Sequence, residues 1–469
     1  MDAPKPCFDT ILKMKRTLFF AALSLLTVIA CRAEVRLPKL LASHMVLQRD
    51  QPIHLWGWAD PDEKVSAEMN GKSQTAVTDA MGHWHIYLPA FSAGGPFRLT
   101  VQGTNTIALD DILIGDIWFA SGQSNMEMPL KGFPGNAVIK NSDEEIRNAS
   151  HTDMRLFRTP KRSSDYPLPD YDAKWTECTP ETAADFSAVA YFFGRQIAKD
   201  ENVPVGLIDS TWGGTPVEAW VSMDSLGADA SLMPVFAEWA RMANNTAEVK
   251  ALLMAEKRAD EEAERAGKPK PHHDWHPAPE SWQPAGLYNG MVAAALNFPI
   301  KGVIWYQGES NSSFERANMY ERLFPALIAD WRIHWREGNF PFLFVQLANF
   351  GAGKSESYHT VREAQRRTLA IANTGMAVTI DIGDPGNVHP ADKQDVGARL
   401  ALAAEAIAYG KKLEFSGPMF RETSVDGASL RVWFDHTTGG LKAKGDALTG
   451  FEIAGADRQF VVAHAQIDG

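Results

Sequence analysis

The chain has 469 residues, 45% of them hydrophobic and 22% charged, an ordinary globular composition long enough for two or three domains and without the signature of disorder. Its formal charge of -12 and the lack of a basic stripe argue against a phosphate-backbone partner, since nucleic-acid binding rests on clustered Lys and Arg.

Residues 1–33 read as an export signal, not as part of the fold. Lys13, Lys15 and Arg16 make a positive n-region, residues 17–29 an apolar h-region, and Cys31-Arg-Ala33 a small-residue cleavage site, with Met14 as an alternative start. The apolar run is short for a membrane span, so no transmembrane span is expected in the mature chain. Val28-Ile-Ala-Cys31 also fits a bacterial lipobox, so a lipoprotein anchored through Cys31 is the alternative to soluble export to the periplasm or medium. Cys178 is then the single cysteine of the mature chain, which excludes an internal disulfide. Its Thr-Glu-Cys-Thr-Pro setting carries no sign of a catalytic thiol.

Residues 34–112 alternate in short runs punctuated by turn residues such as Asn70-Gly71, the pattern of a small antiparallel β-sandwich. Trp56, Trp58 and Trp84 are read as its core, with a sugar-stacking platform as the other reading. From 113 to about 410 the rhythm becomes strand, loop, helix. Strands are predicted at 117–120, 205–208, 303–306, 342–347 and 377–380, and helices at 189–198, 320–335, 361–371 and 396–408. Such alternation implies parallel βαβ units with helices on both faces. Within this domain, residues of about 226–285 form an insertion with a charged helical stretch at 248–267. His272, His273 and His276 follow in a Pro-rich segment; without a second ligand set at zinc-site spacing they are read as surface residues. Residues 411–469 return to β-type alternation, a second small β-domain that lacks an evident closing strand and is read as truncated.

In a parallel sheet, ligands bind at the carboxyl ends of the strands, and four predicted strand ends carry reactive groups. The first ends in Gly122-Gln-Ser-Asn125 and presents Ser124, whose placement turn chemistry alone also explains. The others are Asp209-Ser-Thr-Trp-Gly-Gly-Thr-Pro216, Gln307-Gly-Glu-Ser-Asn311 and Asp381-Ile-Gly-Asp-Pro-Gly-Asn-Val-His389. A hydroxyl, an imidazole and donors able to meet an oxyanion are what acyl transfer to serine requires. Gly213 and Gly214 have neither the Walker lysine nor a Gly-x-Gly-x-x-Gly run, so a nucleotide site is a weak reading.

Gly-Gln-Ser-Asn-Met, Trp-Gly-Gly-Thr-Pro-Val-Glu-Ala-Trp, Trp-Tyr-Gln-Gly-Glu-Ser-Asn and Gly-Asp-Pro…His-Pro resemble the four blocks of the sialate O-acetylesterase group of SGNH (GDSL-type) hydrolases, over nearly all of the mature chain. The resemblance implies a three-layer α/β/α parallel sheet flanked by small N-terminal and C-terminal β-domains. It also implies an exported carbohydrate esterase, without cofactor or metal, that removes O-acetyl groups from sialic acid or sialoglycans. Ser124 would be the nucleophile and His389 the general base. The Ser124 N–H and that of Gly213 or Gly214 would form the oxyanion hole with a side-chain amide, Gln307 or Asn311, of which Gln307 comes first off its strand. The position three residues before His389, where many superfamily members hold an Asp, is Gly386; the acid is therefore Asp384, Glu309, or absent with a backbone carbonyl in its place. Arg158, Lys161 and Arg162 are candidates to pair with a sialate carboxylate. An acetyl-xylan or other polysaccharide deacetylase is the neighbouring alternative, and a non-catalytic glycan-binding protein the alternative of another class. Oligomeric state is not legible.

Overall fold

The computed structural model describes residues 34–468 apart from 136–137, 272, 274–275 and 352–355. The export signal, the Cys31 lipobox and His272 lie outside the described residues. At the centre are parallel strands in the order Thr374–Ala377, Phe342–Val345, Gly302–Tyr306, Thr106–Gly122, Val205–Thr211 and His151–Arg158, with Trp175–Cys178 antiparallel at one edge. Every residue of Val205–Thr211, Gly302–Tyr306 and Phe342–Val345 is buried, as a sheet covered on both faces demands.

Two adjacent residues show both covers. Successive strand side chains point to opposite faces, and the Trp118 ring meets Phe193 at 4.9 Å while the Phe119 ring meets Trp331 and Trp335 at 5.6 and 5.2 Å. Helix Ala188–Glu201, which carries Phe193, packs with Lys393–Ile407 on the first face; helix Phe314–Trp335 packs with Tyr358–Thr368 on the second. Local chemistry sets the helix ends. Ser187 Oγ caps Ala188–Glu201 by accepting the Ala190 N–H at 3.1 Å, and Asn202 closes it in the left-handed conformation. Asp392 caps Lys393–Ile407 by accepting the Asp395 N–H at 3.1 Å.

The Thr106–Gly122 strand serves two sheets. Its first half pairs with Gly94–Gln102 of the N-terminal β-region and its second half with Val205–Thr211 and Gly302–Tyr306, so the boundary expected at 112–113 falls inside one continuous strand. In the N-terminal region, strand His83–Leu88 alternates exposed and buried residues. Trp56 and Trp84 are buried there, and Trp56 meets Phe298 at 6.2 Å. At the other end of the chain, hairpin strands Met419–Asp426 and Ser429–Asp435 pair, as do Glu452–Ala454 and Phe460–Val462.

Three details differ from expectation. The strand predicted at 377–380 lies at Thr374–Ala377, because the chain leaves the sheet early and Ile380 is exposed. Strands His151–Arg158 and Trp175–Cys178 were not predicted; the first opens on exposed polar residues and the second has only four. Cys178 is therefore a strand residue, and burial pushes its thiol up to about 12, far from thiolate chemistry. The charged insertion forms helices Pro234–Asn244 and Thr246–Arg265. His273 and His276 pair with Asp260 and Glu256 of the second, at 2.9 and 3.1 Å.

Candidate active site

Ser124 stands where the central strand ends, level with both neighbours, since Gly122 pairs with Thr211 on one side and Tyr306 on the other. After this strand the chain builds His151–Arg158 and Val205–Thr211 on one side of it and then Gly302–Tyr306, Phe342–Val345 and Thr374–Ala377 on the other, so Ser124 lies where the strand order reverses. Gly122 makes the abrupt exit possible. Its φ is +136° and a Cβ there would overlap the Tyr306 carbonyl. Gln123 then donates its N–H to Tyr306 O at 3.0 Å, and its Oε1 accepts the N–H groups of Gly308 and Ser310 at 3.1 and 3.2 Å. These bonds tie the Ser124 turn to the Gln307–Asn311 loop. Ser124 begins the short helix Ser124–Glu127, and its N–H has no acceptor among the described residues.

His389 comes from further away. Thr374–Ala377 is the far edge strand, so the loop that follows must cross two strand ends to reach Ser124. It does so with an Asx turn, Asn387 Oδ1 accepting the His389 N–H at 2.9 Å, and places His389 Nε2 2.8 Å from Ser124 Oγ. The Phe133 ring meets the imidazole edge-on at 5.5 Å. Burial, assisted by the nearby Lys393 ammonium, holds His389 down to about 4, so the imidazole is neutral at physiological pH and able to accept a proton.

The two candidate acids lie elsewhere. Asp384 is exposed, and its Oδ1 accepts the Gly386 N–H at 2.8 Å, the bond of a loop cap. Glu309 is half-buried as a residue, with its carboxylate Oε2 out of solvent, and accepts from Asn125 Nδ2 at 2.5 Å; loss of solvent raises its pKa. Among the described residues, neither carboxylate makes a hydrogen bond or ion pair with His389.

The glycine block abuts Ser124, as a Cβ on Gly213 would lie 3.1 Å from Ser124 Cβ. The Gly213 N–H, however, is held by Glu127 Oε2 at 2.5 Å, and Glu127 Oε1 takes Lys161 Nζ at 2.5 Å. Gly214 gives its carbonyl to Trp282 Nε1 at 2.7 Å, and its N–H has no acceptor among the described residues. Gln307 and Asn311 are fully buried beneath this turn. Gln307 Nε2 donates to Thr215 O at 3.1 Å and to Asn311 Oδ1 at 2.6 Å, while Asn311 Nδ2 donates to Glu218 Oε2 at 3.0 Å. Their amides shape the glycine turn from below and do not open onto Ser124.

Sequence reasoning passed over Glu127, Asn125, Lys393 and Trp212. Glu127 carried a signal, because a residue three after Ser124 on a helical turn shares its face. Lys393, a cation at a helix N-terminus, carried none. A cleft of about 520 Å³ runs between the 161–166 loop, Trp212, and Glu280 and Gln283 on the return of the insertion. Its lining holds Trp212, the residue before Gly213, and Lys161, which pairs with Glu127, and does not include Ser124 or His389. Among the described residues, a cluster able to hold a metal is His44, Asp111 and Glu177. It lies toward the opposite end of the long strand, with Arg155 already 2.9 Å from Asp111.

A serine and a neutral histidine in contact at the switch point of a three-layer parallel sheet place the protein among SGNH-type esterases. Within them the chain belongs to the sialate O-acetylesterase family of carbohydrate esterases. Residues 274–406 match the family described as carbohydrate esterase, sialic acid-specific acetylesterase. The chain is 32% identical over 428 residues to the sialate O-acetylesterase of Rattus norvegicus, covering 82% of this chain and 76% of that one. To the sialate O-acetylesterase of Homo sapiens it is 31% identical over 425 residues, covering 82% and 73%. The solved carbohydrate acetylesterase from Xanthomonas citri superimposes with a TM-score of 0.78 at 38% identity, over 93% of this chain and 90% of that one.

Proposed function

We propose that the protein removes O-acetyl groups from sialic acid through an acetyl-Ser124 intermediate. The observation that carries this reading is the 2.8 Å contact between Ser124 Oγ and the neutral His389 Nε2. Ser124 Oγ attacks the acetyl carbonyl carbon as its proton passes to His389 Nε2. The oxyanion is met by backbone N–H groups, and His389 then gives the proton to the departing sugar oxygen. Water, deprotonated by His389, cleaves the acetyl-serine and releases acetate. With the Gly213 N–H engaged by Glu127, the Ser124 and Gly214 N–H groups are the favoured oxyanion donors.

Sialate as substrate is supported by the mammalian relatives and by the cleft. Tyr166 and Trp212, aromatic side chains suited to a sugar, line the cleft, as does Arg162, which has no ion-pair partner among the described residues. Its planar fork suits the sialate carboxylate. The leader at residues 1–33 supports export, and among the described residues no helix is long and apolar enough to cross a membrane.

Ser124→Ala should abolish p-nitrophenyl acetate hydrolysis and fluorophosphonate labelling with an unchanged circular dichroism spectrum; retained turnover would overturn the mechanism. Acetate release from O-acetylated sialic acid compared with acetylated xylan decides the sugar.

A further inference from the structure

Lys393 is the first residue of helix Lys393–Ile407 and is fully buried. Both circumstances oppose a cation: burial removes its water, and the helix N-terminus repels positive charge. Its partners lie at the Ser124–His389 site. Nζ donates to Asn125 Oδ1 and lies 5.4 Å from the Tyr306 ring centroid. Asn125, the residue after the nucleophile, donates from Nδ2 to Glu309 Oε1 at 2.5 Å and to Val388 O at 2.9 Å. Val388 is the residue before the base. One amide therefore joins the nucleophile turn, the base loop, a buried carboxylate and a buried ammonium.

We propose that Lys393 is a positioning residue that, paired with Glu309 across the Asn125 amide, clamps the His389 loop onto the Ser124 turn. An ammonium only donates and a carboxylate only accepts, so the two charges fix which way the Asn125 amide faces. Both Nδ2 protons then go to Glu309 and Val388. The pair also balances its own burial, since Glu309 Oε2 has no hydrogen-bond partner among the described residues and an isolated buried carboxylate would be costly. Around Lys393 are Glu309 on the 309–311 turn, Asp392 at its own helix cap, the Tyr306 ring and the His389 loop; Asp392 is shared with Lys140 at 2.8 Å. Burial brings Lys393 down to about 7, and the Lys393 charge is the second cause, after burial, that holds His389 at about 4. Glu309 thus serves the imidazole through Asn125, whose amide it holds beside the Val388 carbonyl. The proposal rests on Ser124 and His389 as the reacting pair.

The test compares Lys393→Met, Lys393→Gln, Glu309→Gln and the Lys393→Met/Glu309→Gln double variant, using kcat and KM for p-nitrophenyl acetate across pH together with thermal unfolding. Lys393→Met should lower kcat about 100-fold, the loss that follows a small displacement of reacting groups. It should also raise the acid limb of kcat/KM from about 4 toward the ordinary 6.5 of an imidazole. Lys393→Gln keeps a donor for Asn125 and should retain more kcat, with the acid limb still raised; it carries the test if Lys393→Met does not fold. The double variant removes both charges and should recover stability relative to either single change while remaining slow. An unmoved acid limb in both Lys393 variants, or a double variant whose activity returns together with its Tm, would overturn the proposal. Failure of the underlying reaction registers separately, as turnover that survives Ser124→Ala.

Discussion

Gly122→Ala tests whether the strand exit aims the nucleophile. Alanine at φ +136° is in a region that L residues rarely adopt, and its Cβ would lie 2.7 Å from the Tyr306 carbonyl carbon and 3.0 Å from the Tyr306 nitrogen, where ordinary contact begins at 3.4 Å. Tyr306 cannot retreat. It is fully buried, pairs with Gly122, and accepts the Gln123 N–H at 3.0 Å. The nucleophile turn must move instead. Backbone strain of about 1–3 kcal/mol and overpacking of about 1–3 kcal/mol set the stability loss, and a shift of about 1 Å in Ser124 sets a loss of about 100-fold in kcat/KM. The control is Gly71→Ala, at φ +72° with open space around it, where strain acts without a clash and activity should be retained. Urea unfolding and p-nitrophenyl acetate hydrolysis read both. A Gly122→Ala protein with wild-type kcat/KM would refute the reasoning.

With His389 held at about 4, kcat/KM should rise with a midpoint near that pH and be flat through neutrality, as a pH-rate profile would record. The same depression makes the folded state bind fewer protons than the unfolded one, so this contribution to stability is complete above 6.5 and is lost as pH falls toward 4. Arg162→Gln removes a charge-assisted contact of about 1.5–3 kcal/mol. It should therefore lower kcat/KM for O-acetylated sialic acid about 10- to 100-fold and affect acetylated xylan far less; equal losses on both substrates would refute a carboxylate contact.

Much of the sheet was legible because its strands are apolar runs buried on both faces, as at Gly302–Tyr306 and Phe342–Val345. His151–Arg158 was not, since only four of its residues are buried and period and composition both read as loop. At the site, Ser124 and His389 stood out as reactive residue types at strand ends, and the structure brings them into contact. What composition does not reveal is the state of a backbone N–H. Gly213 and Gly214 are equivalent as letters, and a carboxylate three residues beyond Ser124 distinguishes them. Lys393 was hidden for a different reason: helix rules place a cation at the opposite terminus, and a residue set against its local preference is legible only once its tertiary partners are known.

The strand order explains why such a residue is needed. Ser124 is held by the sheet, through a backbone pair on each side of Gly122. His389 is not: its strand is separated from that of Ser124 by two others, and among the described residues the loop between them is held at points short of the imidazole, by Thr379 Oγ1 donating to Gln346 O at 2.5 Å and the Gly351 N–H donating to Pro385 O at 3.0 Å. A 2.8 Å contact across that distance is stable only if the loop is tied at its near end, beside the imidazole. Asn125 supplies the tie from the nucleophile side by holding the Val388 carbonyl. On the proposed reading, orientation of that amide sets the distance between His389 and Ser124, and a buried ammonium on one side with a carboxylate on the other leaves it a single choice.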